Sequence, residues 1–292
     1  MQNSAINSSS KGWLYGIAGV IIFAGSLPAT RIAVMGFTPE FLTAARAAIA
    51  GVLAIFCILF FSRKIPSVQQ FYRLAIVCLG VVIGFPLFTA LALQTVTSAH
   101  AIVFIALLPL CTAIFAVFRA AEKPSPAFWC FAILGSALVI AFTLYENKAL
   151  SFSKGDIYMI LAVIVCGLGY AEGGQLSRNL GGWQVICWAL IIALPVMLVF
   201  SVYYFPDHLS QISISQWSGL AYVSLFSMLI GFFFWYKGLA LGGIASVGQA
   251  QLLQPFIGLG FAAVLLNEHV STGMLIVSCA VICCVTMAKK FA

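Results

Sequence analysis

The chain has 292 residues, of which 63% are hydrophobic and only 7% are charged. A soluble domain carries roughly 25% charged residues, so this composition excludes a water-soluble globular protein and predicts one that lies in lipid. The formal net charge is +7, but the basic residues stand singly or in pairs between apolar runs. That distribution excludes the clustered basic face of a nucleic-acid-binding protein.

The apolar residues are grouped into long runs. A membrane-spanning helix needs about 20 mostly apolar residues, and ten such runs occur. Residues 1–10 are polar and rich in Ser and Asn, which predicts a disordered tail. We therefore predict an all-α integral membrane protein with ten transmembrane helices, numbered here in chain order. The predicted helices cover residues 13–35, 41–61, 74–94, 98–118, 127–145, 157–176, 183–205, 217–241, 244–266 and 270–288.

The basic residues predict the orientation of these helices. Cytoplasmic loops of membrane proteins carry an excess of Lys and Arg. If the N-terminus is cytoplasmic, ten basic residues lie on the inner side of the membrane and four on the outer side. We therefore expect a multi-pass protein of the cell (inner) membrane with both termini in the cytoplasm. The inner set is Lys11, Arg63, Lys64, Arg73, Arg119, Lys123, Arg178, Lys237, Lys289 and Lys290, and the outer set is Arg31, Arg46, Lys148 and Lys154.

An internal repeat relates the two halves of the chain. Residues 23–31 align with residues 170–178, which lie 147 positions later. The same separation relates the Gly-Phe pair at Gly84 to the pair at Gly231. A third match, at 146 positions, relates Pro109 to Pro255 and Glu122 to Glu268. Three ordered matches near half the chain length indicate two repeats, over residues 11–146 and 150–288.

The number of helices in each repeat has a functional consequence. Five is odd, so the two repeats insert into the membrane with opposite orientations. Inverted repeats of this kind are a recurring plan of transporters, whose substrate site lies near the midplane at the repeat interface. The alternative is a duplication that builds only a scaffold or a channel.

Matching irregularities in the two halves point to a site. Predicted helix 1 contains Gly25 and Pro28, and predicted helix 6 contains Gly173 and Gly174 at the corresponding place. Proline removes a helical hydrogen bond, and glycine loosens the backbone. Broken helices at matching positions predict a binding site. Close packing of helices through small residues is the alternative for the glycines.

Glu172 is the only acidic residue well inside an apolar run. Ionisable residues in the membrane usually face a cavity or a charged partner. We therefore predict that Glu172 binds a substrate amine or couples transport to protons. The structural alternative is an ion pair, for which Lys237 is the expected partner at the same end of the bundle.

Other polar or aromatic residues in the apolar runs are candidate lining of a substrate site. Gln251 and Gln254 are three residues apart and share a helical face. Arg46 lies deeper in its helix and is predicted to line an outer vestibule. The remaining candidates are Ser26, Thr30, Gln175, Trp235, Tyr236 and Gln249.

No pattern of metal or enzyme chemistry emerges. The nine cysteines lack CxxC spacing, and the three histidines are scattered, so we expect neither a metal nor a cofactor. The motifs HExxH and GxSxG do not occur, and the two aspartates fall at predicted loop positions, so an intramembrane enzyme is not expected.

These features resemble the EamA family of the drug/metabolite transporter superfamily, over nearly the whole chain. The first half carries the resemblance through the Gly25-Ser26 break, Pro39, Arg46 and the run from Ser98 through Pro109 to Glu122. The second half carries it through Trp235-Tyr236-Lys237-Gly238-Leu239, Ala245, Pro255 and Glu268. Pro28 and the Glu-Gly-Gly sequence at 172–174 depart from the common pattern, so the substrate of any one member is not transferred.

The resemblance implies ten helices, a central cavity formed by helices 1, 3, 4, 6, 8 and 9, and peripheral helices 5 and 10. Known members largely export amino acids and other small metabolites. The resulting hypothesis is a secondary transporter that exports such compounds by alternating access, with proton coupling through Glu172, as a monomer or homodimer. A passive facilitator or channel is the alternative.

Overall fold

The computed structural model describes residues 2–61, 65–147, 153–258 and 272–292. All regular elements within these ranges are helical, and they form ten rods, each of which overlaps one of the predicted helices. The first five rods are α1 (Gln2–Ala24 and Ser26–Ala33), α2 (Pro39–Phe61), α3 (Val68–Val77, Cys78–Gly84 and Phe85–Thr95), α4 (Ser98–Ile105 and Leu108–Ala120) and α5 (Pro126–Asn147). The next five are α6 (Lys154–Leu180), α7 (Gly182–Tyr203), α8 (Ile214–Tyr222, Val223–Ile230 and Gly231–Gly242), α9 (Ile244–Gly248 and Gln249–Leu253, helical to 258) and α10 (Thr272–Phe291).

The N-terminal stretch differs from the prediction. Helix α1 begins at Gln2, so most of the segment predicted as a disordered tail is helical. Extending an existing helix fixes one residue for each hydrogen bond gained, whereas starting one is costly. The apolar part of α1 therefore allows the polar residues before it to continue the helix. The end of predicted helix 9, the beginning of predicted helix 10, and Glu268 and His269 between them lie outside the described residues.

The two halves interlock in a reciprocal pattern. Helix α1 packs against α8, and α3 packs against α6. Because α6 and α8 occupy in the second half the places of α1 and α3 in the first, the two contacts are repeat-related. Helices α2 and α7 pack together, as do α5 and α10, and α4 packs against α9. Each of these pairs joins a helix to its own repeat mate, as the two-repeat architecture predicts.

Glycines permit the reciprocal contacts. A Cβ on Gly80 of α3 would lie 2.5 Å from the carbonyl oxygen of Val165 in α6. On the other side, a Cβ on Gly238 of α8 would lie 2.6 Å from the backbone nitrogen of Gly16 in α1. Helices in lipid associate through small residues because these let the backbones approach closely.

Helices α3 and α8 share an irregular centre. Each contains a π-helical segment, Cys78–Gly84 in α3 and Val223–Ile230 in α8. The repeated Gly-Phe pairs found in the sequence mark the end of both segments, at Gly84 and Gly231. A π-helical turn widens the helix and is frequent at functional sites, so the two halves carry the same backbone device at the same place.

Six of the described rods are long and apolar enough to cross a membrane. They are Ser9–Ala33, Pro39–Phe61, Val68–Thr95, Lys154–Leu180, Gly182–Tyr203 and Ile214–Gly242. Shorter apolar helices occur at Leu108–Ala120 and Pro126–Phe142. Large apolar side chains such as Phe60, Phe61 and Phe118 are exposed on the outside of the bundle, as expected where lipid rather than water surrounds a protein.

Candidate functional site

The predicted break in α1 is present, and side chains from the second half donate hydrogen bonds to the backbone carbonyls beside it. The helix stops at Ala24 and resumes at Ser26. The Tyr222 hydroxyl donates to the carbonyl of Ile22 at 2.7 Å, and Gln254 Nε2 donates to the carbonyl of Phe23 at 3.2 Å. An irregular backbone is tolerated at membrane depth only where its polar groups find partners. The position of the Tyr222 hydroxyl also leaves no room for a side chain at Gly25.

The predicted break in α6 is wrong. The helix runs without interruption from Lys154 to Leu180. A Cβ on Gly173 would overlap the ring of Tyr236, and a Cβ on Gly174 would lie 2.9 Å from Cγ1 of Ile244. The paired glycines therefore make room for α8 and the start of α9, which is the packing alternative.

A narrow cavity lies next to the α1 break, between the two halves. It contains about 420 Å³ of empty space, but only about 20 Å³ of this admits the centre of a water molecule. A buried water needs roughly 10–15 Å³ by this measure, so the cavity has room for about one water molecule. The cavity is lined by Phe23, Ser26, Leu27, Arg46, Val81, Phe85, Ile105, Leu108, Tyr170, Ser227, Phe232, Gln251 and Gln254. These residues come from α1, α3, α4, α6, α8 and α9, the helices that the family resemblance implies, together with α2.

The polar side chains of the cavity form a short chain of hydrogen bonds. Ser26 Oγ donates to Ser227 Oγ at 2.8 Å, which joins α1 to the π-helical segment of α8. Arg46 Nη2 donates to the same Ser227 oxygen at 3.3 Å. Gln254 is held by the α1 break, whereas the side-chain oxygen of Gln251 is buried without a partner among the described residues. The cavity thus presents one cation and several neutral polar groups within an aromatic wall.

Arg46 is the most unusual of these residues. It is only 4% exposed, it lies seven residues after the start of the apolar helix Pro39–Phe61, and its Nε atom has no hydrogen-bond partner among the described residues. Within the part of the chain that the structure describes, no carboxylate pairs with it. A buried charge without a counter-ion is costly in a membrane protein and usually marks a functional position.

Glu172 lies elsewhere, near the end of the bundle where α1 begins and α10 ends, called here the terminal end. Its carboxylate is fully buried and pairs with two arginines, Arg73 of α3 and Arg119 of α4. Arg119 Nε lies 2.7 Å from Glu172 Oε2. These three residues, the ion-pair cluster, tie two helices of the first half to α6. Glu172 is not among the residues that line the cavity.

Lys237 is not the partner of Glu172, which corrects the structural alternative drawn from the sequence. Its ammonium is exposed, donates to the Tyr15 hydroxyl at 2.9 Å and lies 4.2 Å from the centre of the Tyr15 ring. Arginine suits the buried position better, because its guanidinium offers several donors in a plane and is less strongly hydrated than an ammonium.

A second acidic residue binds the start of α9. Glu122 Oε1 and Oε2 accept hydrogen bonds from the backbone nitrogens of Ile244 and Ala245 at 2.9 and 2.8 Å. Arg178 Nη2 lies 2.5 Å from Glu122 Oε1. A carboxylate is favourable at a helix N-terminus. Glu122 therefore stabilises the start of α9 and not α5, the helix that follows it in sequence.

The remaining predicted site residues are divided between packing and the surface. Trp235 and Tyr236 are fully buried, and the Tyr236 hydroxyl donates to the carbonyl of Gly169 at 3.2 Å. Thr30 and Gln249 are buried away from the cavity, and both amide atoms of Gln249 lack a partner in the described structure. Gln175 accepts a hydrogen bond from Arg178. Of the predicted lining, Ser26, Gln251 and Gln254 are brought together.

Two polar lining residues, Ser227 and Tyr170, were missed, and Arg46 was assigned to a vestibule instead of the cavity. A signal for Arg46 existed, because an arginine inside an apolar run is a functional hypothesis by default. No signal singles out Ser227 among the serines of α8. Its position in the cavity depends on the π-helical segment, and the sequence does not predict that segment. The described residues contain no group of three or more His, Cys, Asp or Glu side chains arranged to hold a metal ion.

Comparison with known proteins identifies the family to which this chain belongs. The profile of the EamA-like transporter family matches residues 10–144 and 153–288. The uncharacterized transporter YdeK of Bacillus subtilis (strain 168) is 57% identical over 98% of this chain and 100% of its own length. The uncharacterized transporter YyaM of the same organism is 23% identical over 82% of both chains. A crystal structure that is 18% identical covers 96% of each chain with a TM-score of 0.74, which shows a shared fold. The chain is therefore a multi-pass membrane protein and belongs to the EamA-like transporter family.

Proposed function

We propose that the protein is a secondary transporter that moves small metabolites, such as amino acids or related compounds, by alternating access across ten transmembrane helices. The observation that carries this proposal is the narrow cavity between two reciprocally packed halves. A channel requires a continuous path, whereas a carrier encloses its substrate between two openings. The α1 break and the π-helical segments of α3 and α8 border the cavity and supply backbone that can bend.

The ion-pair cluster supports a closed state at the terminal end. Glu172 holds α6 to α3 and α4 through Arg73 and Arg119, across the interface between the halves. An opening toward this end requires these helices to separate and the two ion pairs to break. Because both arginines are partly exposed, water replaces the lost contacts as the helices part. The cluster is thus suited to a reversible closure.

The basic residues support an orientation with both termini in the cytoplasm of a cell membrane. The terminal end then faces the cytoplasm, and Arg46 lies toward the outer half of α2. Net efflux is the proposed direction, with the monomer or homodimer as the working unit. Proton coupling through Glu172 is the finer hypothesis, since opening of the cluster would free this carboxylate to take up a proton.

The test is counterflow in proteoliposomes. Vesicles are loaded with a pool of unlabelled compounds and diluted into trace amounts of each labelled compound. The panel contains amino acids, monocarboxylates, amino acid amides, amines and sugars. A carrier accumulates label transiently against the label's gradient, because unlabelled substrate that leaves the vesicle brings the site to the outside, where it binds label. A channel or a facilitator without alternating states only equilibrates the label.

Proton coupling is tested in the same vesicles with an imposed pH gradient. Coupling through Glu172 predicts that the gradient enhances uptake by the native chain and not by Glu172→Gln, while both retain counterflow. Uptake that ignores the gradient in both proteins would remove proton coupling. Equilibration without transient accumulation would favour the facilitator over the carrier.

A further inference from the structure

The cavity contains a cation, Arg46, that has no counter-ion among the described residues. Arg46 is buried, and its one hydrogen bond within the described ranges goes to the neutral hydroxyl of Ser227. The other arginines in the described residues with a buried or half-buried guanidinium have better partners. Arg73 and Arg119 share the carboxylate of Glu172, and Arg31 donates to the backbone carbonyl of Leu93. The contrast marks Arg46 as a charge reserved for something other than the fold.

The free-energy cost of burying the Arg46 charge also indicates that a ligand binds there. Removing a cation from water into a protein interior costs several kcal/mol unless a counter-charge and further hydrogen bonds offset the cost. Arg46 Nε has neither in the described structure. A guanidinium is planar and binds a carboxylate through two parallel hydrogen bonds. A carboxylate at this position would supply the missing charge and the missing acceptors together.

The surroundings of Arg46 fit the rest of a small carboxylate compound. Ser26 and Ser227 are hydroxyl groups that can rearrange to donate to a carboxylate oxygen. The buried side-chain oxygen of Gln251 accepts no hydrogen bond from any described residue and belongs to a side chain that lines the same cavity, so it can accept from an amine or hydroxyl of the compound. Phe23, Phe85 and Phe232 supply the apolar wall. A carrier site needs few polar groups in a mostly apolar pocket.

We propose that Arg46 binds the carboxylate of the transported compound, so that a carboxylate group is a requirement for transport. This inference rests on the proposed carrier function and adds the chemical class of its substrate. It also moves the recognition site from Glu172, a group that would select an amine, to a cation that selects an anion. Ser227 is its positioning residue, since its hydroxyl orients the guanidinium.

The test compares acids with their amides in counterflow with the native chain. The probes are L-alanine, L-threonine, L-leucine and L-phenylalanine, the amide of each, the monocarboxylates that lack the amine, and the amines that lack the carboxylate. We expect every transported probe to carry a carboxylate, with amides and amines at least about tenfold weaker, because a hydrogen bond to a charged group is lost. This comparison needs no variant and does not depend on whether a mutant folds.

Variants then assign the effect to Arg46. Arg46→Gln is expected to lower transport of the carboxylates at least about tenfold. Arg46→Lys is expected to be intermediate, because it keeps the charge but loses the planar pair of donors. Arg31→Gln is the matched control, an arginine near the same end of the bundle that does not line the cavity, and it is expected to stay within about twofold of the native rate.

The outcomes separate this inference from the carrier function. Transport of an amide or amine as fast as its acid, or unchanged acid selectivity in Arg46→Gln, overturns the role of Arg46 and leaves the carrier intact. Counterflow by none of the probes, charged or neutral, contradicts the carrier function and the inference with it. Selective transport of carboxylates that is lost in Arg46→Gln and kept in Arg31→Gln supports both.

Discussion

The protein buries charged side chains in two places that differ in whether a carboxylate and a guanidinium are paired. In the ion-pair cluster, Glu172 is fully buried and is neutralised by Arg73 and Arg119. In the cavity, Arg46 is almost as deeply buried, and its only partner in the part of the chain that the structure describes is a neutral hydroxyl. Both sites lie at the interface between the repeats, so the difference does not come from their place in the architecture.

The contrast shows that burial alone does not identify a binding residue. A paired buried charge is destabilising to disrupt, because its partner is left without a counter-ion. An unpaired buried charge makes the fold less stable than a neutral residue of similar size would. Stability and function should therefore separate at the two sites, and substitutions at each are ways to test that separation.

The largest effect on stability is expected for Glu172→Gln. The substitution leaves two arginines at a buried interface without their carboxylate, which costs about 3 kcal/mol, the lower end of the range for broken buried pairs. The side chains of Arg73 and Arg119 are 26% and 41% exposed, so water moderates the loss. The free energy of unfolding in detergent, from a denaturant titration, measures the effect.

Lys237→Gln is the matched control for that prediction. Lys237 is the cation that the sequence offers as the partner of Glu172, but it is exposed and contacts Tyr15. Its loss is expected to cost less than about 0.5 kcal/mol. Equal destabilisation by the two substitutions would contradict the assigned partners.

A smaller effect is expected for Gly173→Ala. The added methyl group would overlap the ring of Tyr236 and force α6 and α8 apart, which costs about 2 kcal/mol. Gly248→Ala is its control, since a Cβ there would meet Thr112 Cγ2 at an ordinary 3.6 Å. Alanine is the better helix former, so the control should be neutral or slightly stabilising. If Gly173→Ala is neutral in the unfolding measurement, a hinge role for the glycine pair regains weight.

The smallest of the three effects is expected at Glu122, outside both charged sites. Glu122→Ala removes the acceptors for two backbone nitrogens at the start of α9 and costs about 1 kcal/mol, the usual effect of losing a helix cap. Glu122→Gln should recover part of this, since an amide oxygen still accepts. A loss as large as that of Glu172→Gln would show that the Arg178 ion pair, and not the cap, dominates.

The sequence predicts the helices well because length and apolar content determine a membrane helix. It also predicts the repeat, and the Gly-Phe pairs at Gly84 and Gly231 mark the ends of both π-helical segments. The break at Gly25 is confirmed, and the one at Gly173 is wrong. The two differ in what faces the glycine: at Gly25 the freed carbonyls find donors in Tyr222 and Gln254, whereas at Gly173 an aromatic ring fills the space.

The charged partners could not be predicted from the sequence. Glu172 pairs with residues that precede it by 99 and 53 positions, so the pairing depends on how α3, α4 and α6 meet. A nearby lysine on a neighbouring predicted helix gave a plausible but wrong partner. The lack of a counter-ion for Arg46 among the described residues is harder still to predict, because it is a property of the packed molecule and not of any spacing.

The most direct test measures stability and transport together for Arg46→Gln and Glu172→Gln. Each protein is purified once and divided between a thermal unfolding scan and a carboxylate counterflow assay normalised to folded protein. We predict that Arg46→Gln unfolds at or above the native temperature and loses at least about tenfold in counterflow. Glu172→Gln should unfold earlier and keep counterflow within a few-fold. The reverse pattern, a destabilised but active Arg46→Gln beside a stable but inactive Glu172→Gln, would contradict the account.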